Sequence, residues 1–135
     1  MSYGENQNKG VTDVGFRSIH AEDNAIRKLP IQPRNKRLKK VDLLVVRINR
    51  GGSLGNSKPC VHCLLLLSEK LPDKGYQVAN VYYSTSNGTI AETKLKHLLA
   101  EPEPHFSRFY RDRNLYIRKS PSQKMLGATY SYSCC

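Results

Sequence analysis

Four residues constrain this chain more than any others: His20 and Glu22 near its start, and Cys60 and Cys63 about forty residues later. One His and two Cys supply three ligands for a tetrahedral zinc whose fourth position stays open to water. A carboxylate two residues from the His can sit beside that water without binding the metal. If the three ligands share one ion, the segments around His20 and Cys60 must lie side by side, which excludes most folds. Cys-x-x-Cys alone is weaker, being compatible with redox chemistry, a structural zinc or chance. A structural zinc needs a fourth protein ligand, and His62 is the local candidate.

The flanking pattern predicts how those ligands are presented. Residues 21–29 read as a short helix, with Ala21, Ala25 and Leu29 four apart and Pro30 and Pro33 ending it. His20 and Glu22 fall at its first turn, where free backbone N–H groups and the helix dipole favour a carboxylate. Cys60 opens a second helix to about Leu71, buried because Leu64 to Leu67 is an unbroken apolar run. Pro59 suits its first turn, and Cys60 and Cys63 lie one turn apart on one face. Val41–Ile48 and Val78–Ser84 read as buried strands. Asn87-Gly88 signals a hairpin, with Thr89 to about Lys94 returning antiparallel; Ala91–Ala100 also fits a helix.

Together, His20-Ala21-Glu22 and Pro59-Cys60-Val61-His62-Cys63 resemble the H-x-E…P-C-x-x-C signature of zinc-dependent nucleobase deaminases. His20 to Ile26 closely resembles the corresponding helix of deoxycytidylate deaminases. From His20 to about Lys94, the element order is similar to the cytidine deaminase-like fold. The resemblance implies a three-layer α/β architecture, a central mixed sheet with helices packed on it. It implies Zn2+ held by His20, Cys60 and Cys63, with Glu22 as the proton-shuttling catalytic residue. It implies substrate contacts from Asn6, Ala21, Ser57 and Pro59, and a cytosine nucleoside or nucleotide as substrate. Only nineteen residues precede His20, where members of the family have a helix and two paired strands. Tyr3-Gly4-Glu5-Asn6 is similar to the end of the second strand, so the first strand or strands are expected to be missing.

The remaining features bear on partners. At 135 residues the chain fits one core, read as a zinc domain over 1–100 and a basic, Pro/Ser/Arg-rich arm over 101–135. The net charge is +11, clustered around Arg27–Lys40 and Arg108–Lys124, which suggests phosphate-rich partners, nucleotide or nucleic acid. A solvated basic surface gives the same pattern. No apolar run approaches the roughly 20 residues of a membrane span, and no signal peptide is visible. A reducing compartment, cytoplasmic or nuclear, fits the cysteine usage. Cys134-Cys135 reads as chance or a lipidation signal.

Two other functions stand beside the small-molecule deaminase. One is a deaminase of cytosine within a polynucleotide. The other is a structural or nucleic-acid-associated protein, such as a virion component, on a reduced and inactive deaminase fold. The uncovered sheet edge and apolar arm predict a homo-oligomer or a larger assembly.

Overall fold

The computed structural model describes residues 1–12, 15–33 and 37–106, with the side chains of 8–18 left aside. It is a mixed α/β protein. A hairpin of β1 (Gln7–Thr12) and β2 (Gly15–Ile19) precedes helix α1 (Ala21–Lys28). The central sheet contains β3 (Lys39–Val45), β6 (Tyr76–Ser84) and β7 (Ile90–Thr93). β3 and β6 are parallel, whereas β6 and β7 are antiparallel. Between β3 and β6 come the short pair β4 (Arg47–Ile48) and β5 (Leu54–Gly55), helix α2 (Val61–Leu65), a π turn (Leu66–Lys70) and α3 (Leu71–Asp73). Helix α4 (Leu95–Leu99) follows β7. No helix among the described residues is long and apolar enough to cross a membrane.

One apolar cluster joins these elements. Ile26 of α1, Leu64, Leu67 and Leu71 of the central helical run, and Leu98 of α4 pack on Tyr76, Val78 and Val81 of β6. The described helices thus lie on one face of the sheet, and the predicted burial of the Leu-rich helix is observed. The crossover from β3 to β6 through a helix is what a parallel pair requires. The widened turn at Leu66–Lys70 accommodates Pro72, which lacks an N–H and whose ring would collide with the Ser68 carbonyl in α-helical register.

Three differences from the sequence reading have physical causes. Val41–Ile48 is not one continuous buried strand. It breaks after Val45, and its side chains alternate, with Leu44 62 % exposed on the face away from the helices. The described residues accordingly build two layers, not three. The hairpin turn spans Thr85–Thr89, with Gly88 at φ +79; the following segment divides between the two readings, strand to Thr93 and helix from Leu95. Residues 1–6 form no strand, and the β1–β2 hairpin is a sheet of its own. The arm beyond Phe106, Cys134 and Cys135 included, lies outside the described residues.

Lys74 closes α1. Its Nζ donates to the Ile26, Arg27 and Leu29 carbonyls at 2.8, 2.9 and 2.9 Å, in the last turn where a helix runs out of N–H partners; the Ile26 carbonyl also accepts from Leu29 N–H at 3.2 Å. Lys74→Met should lower unfolding stability by about 1–2 kcal/mol, measured by urea denaturation. A second expectation concerns the core. Leu71 is 2 % exposed, and Leu71→Ala should cost about 2–5 kcal/mol in the same assay.

Candidate metal centre

The site forms where the N-termini of α1 and α2 converge. His20 immediately precedes α1, extended at φ −69 and ψ 153, and its carbonyl accepts the first helical bond, from Asn24 N–H at 3.0 Å. Cys60 holds the same position before α2, at φ −76 and ψ 163, and Cys63 lies one turn on. The shared core of Ile26 and Leu64 sets the two helices against each other.

The ligand atoms of His20, Cys60 and Cys63 all lie within 4.8 Å of one another, close enough to bind one metal ion. His20 Nδ1 is 3.2 Å from Cys63 Sγ and 3.4 Å from Cys60 Sγ, and the two sulfurs are 3.6 Å apart. A tetrahedral zinc with Zn–S about 2.3 Å and Zn–N about 2.0–2.1 Å places its ligands ~3.6–3.8 Å from one another. The donor set suits such an ion, and the observed spacings are at or slightly inside that range. Both cysteines are free and buried. Of the four positions singled out in the sequence, all are in this region, with Glu22 also buried. His62, the candidate fourth ligand, is outside the set of ligand atoms; it hydrogen-bonds Cys60 instead.

The charges are coupled. The hydrogen bond from Cys63 holds the Cys60 thiol far below its ordinary range, with His20 and His62 adding to the effect against burial. The Cys60 hydrogen bond raises His20 above 6.5, against the desolvation that lowers it. Burial pushes the Glu22 carboxyl up. The Cys60 charge adds to that, and the backbone hydrogen bond at Glu22, His20 and a hydrogen bond with Cys63 restrain it. A thiolate–imidazolium cluster of this kind trades its protons for a cation.

The N-terminal segment runs along α1 and reaches the same place. Ser2 Oγ donates to the Ala25 carbonyl, Asn24 Nδ2 to the Glu5 carbonyl, and Ala21 N–H to Asn6 Oδ1 at 2.8 Å. Gly4 makes this approach possible: a Cβ there would lie 2.1 Å from the Ala21 carbonyl oxygen and 2.4 Å from the Ala25 nitrogen. Asn6 and Ala21, two expected substrate contacts, are therefore bonded to each other at the start of α1. Ser57 is placed differently. Its hydroxyl donates to the Val45 carbonyl at 2.7 Å and accepts from Ser84 N–H at 2.8 Å, tying the loop to the sheet. Pro59 is fully buried next to Cys60. The sequence reading missed the residues that hold α2 from behind. Val61 N–H donates to the His105 carbonyl at 2.8 Å, and Lys58 pairs with Glu101 at 2.5 Å. Both come from the segment assigned to the arm.

No protein-family model matches this chain, nor does any curated protein or solved structure. What the site can do follows from its own residues.

Purified protein should bind about one zinc per chain, and Cys63→Ser should abolish this in a metal analysis. In metal-free protein the raised His20 pKa means that a proton competes with the ion up to a pH above 6.5. Apparent zinc affinity should therefore rise with pH through that region, as measured by competition with a chromophoric chelator.

Proposed function

We propose that this chain is a zinc-dependent hydrolytic deaminase of a cytosine nucleoside or nucleotide, built on a cytidine deaminase-like fold. The observation that carries the reading is the meeting of one His, two Cys and a buried carboxylate at two converging helix N-termini. A structural zinc has no use for Glu22, whereas a hydrolytic one needs a base beside its open position. The parallel β3–β6 unit, with its connecting helix carrying both cysteines, supports the fold assignment.

When bound, zinc supplies Lewis acidity that brings the pKa of water from 15.7 to about 7. Glu22 then does the proton work. It accepts a proton from the attacking water, gives it to ring nitrogen N3 as C4 becomes tetrahedral, and passes a proton to the amine that departs as ammonia. The pyrimidine becomes a uracil, with one water consumed. Its burial suits this role: desolvation raises the carboxyl towards neutrality, where a group both takes and returns a proton readily. His20 and the two cysteines would hold the ion, and Cys60 receives the further hydrogen bond from His62, of the kind that orients ligands in metal sites. Asn6, bonded to Ala21 at the start of α1, would contact the sugar in this reading.

Glu22→Gln should keep its zinc and lose deamination by about 10²–10⁴-fold, read as ammonia release from cytidine, deoxycytidine and their monophosphates. Wild-type protein that holds zinc and is as inert as the variant on each of these, and on single-stranded DNA, would overturn the reading in favour of a structural role.

A further inference from the structure

β3 has one open side. Its neighbour is β6, and no described strand lies along its other edge. Lys39 N–H donates to the Gly75 carbonyl just ahead of β6, which fixes the direction of the strand's backbone groups. Alternate residues face alternate edges. Lys39, Val41, Leu43 and Val45 thus turn their N–H and C=O groups to β6, and Lys40, Asp42 and Leu44 turn theirs to the open edge. The β-bulge that accommodates the register shift lies in β6, between Val78 and Val81, and leaves this alternation in β3 undisturbed. Edges of this length are usually blunted by proline, a bulge or charge. β3 has neither proline nor bulge, and its charges alternate in sign along the open face.

The same even-numbered residues face solvent. Leu38 is 42 % and Leu44 62 % exposed, and Lys40 and Asp42 are exposed between them. Read about Val41, the row Leu38, Lys40, Asp42, Leu44 is a palindrome in which each charge has its opposite at the mirrored position. Asp42 Oδ1 accepts from Asn80 Nδ2 at 2.9 Å, and a carboxylate has a second oxygen to offer. Lys40 has no ion pair among the described residues.

We propose that two copies of this chain join edge to edge through β3, antiparallel about a two-fold axis at Val41, to form a continuous six-stranded sheet. In this register Lys40 stands opposite Asp42 of the second copy, twice, and Leu38 stands opposite Leu44, twice. Lys40 and Asp42 carry edge-facing backbone groups, so each such pair also exchanges two main-chain hydrogen bonds. The neighbouring registers are penalised. A centre at Asp42 sets Asp42 against itself, and a centre at Lys40 sets Lys40 against itself; like charges directly opposite are unfavourable. A centre at Leu43 leaves both charges facing Leu44 and Val46. Charge therefore selects the partner, a second copy, and also the register.

Sedimentation velocity and a charge-swap series test this. Wild-type protein should be a concentration-dependent dimer. Lys40→Asp sets two carboxylates opposite one another at both pairs and should raise the dissociation constant about tenfold or more. Adding Asp42→Lys to it exchanges the signs and should restore dimerisation. Circular dichroism checks that each variant is folded. A second measurement needs no variant. Carbodiimide treatment of a mixed ¹⁴N/¹⁵N wild-type sample should join Lys40 and Asp42 as an amide in peptides carrying one label from each copy. A wild-type monomer at every concentration would overturn the proposal, and slow hydrogen exchange at Lys40, Asp42 and Leu44 in that monomer would assign the edge to another segment of the chain. A dimer indifferent to Lys40→Asp, a folded double variant that is not rescued, or a Lys40–Asp42 link found only within one label would overturn the register.

Discussion

The convergence of two helix N-termini is the constraint on which the rest of this structure depends. His20 and Cys60 each stand in extended conformation just before a helix, so their side chains project into the gap between α1 and α2. That gap has the right width because Ile26 and Leu64 share one core above β6. It also concentrates the positive ends of two helices around two thiols and a carboxylate, where anionic ligands are favoured before any ion arrives. The lowered Cys60, the raised His20 and the raised Glu22 are three consequences of the same crowding.

The elements around the gap serve to keep it closed to drift. Lys74 fastens the far end of α1 through three carbonyls. The bidentate Asp23–Arg27 pair gives the buried Asp23 carboxylate its partner and fixes its direction. Gly4 lets the first residues lie directly on α1, and the carbonyl of His105 satisfies the first N–H of α2. Each of these tethers is polar and local, while the position of the helices as a whole is set by apolar burial.

Much of this was legible in the sequence. The His-x-Glu and Cys-x-x-Cys spacings single out the side chains that meet, since Cys60 and Cys63, one turn apart at a helix start, share a face. The Leu64–Leu67 run and Pro72 mark the buried helix and its end. What could not be read depends on contacts distant in sequence. Nothing local says that Lys74 reaches α1, that Ser57 and Ser84 tie a loop to a strand, or that residues 101–105 return to α2. The β-branched content of Val41–Ile48 suggested a buried strand, because propensity reports a strand and not how many layers cover it. The palindrome in β3 was in plain view as letters, but it acquires meaning only once the strand is known to be an edge.

The proposed chemistry requires a metal site with one imidazole, two thiolates and a position left open. X-ray absorption spectroscopy at the zinc edge reads that arrangement directly. It should show two sulfurs at about 2.3 Å and two lighter atoms at about 2.0–2.1 Å, with outer-shell scattering from a single imidazole. Scattering from two imidazoles would place His62 on the metal and close the site, and a shell without sulfur would remove Cys60 and Cys63 from it; either result would contradict the account.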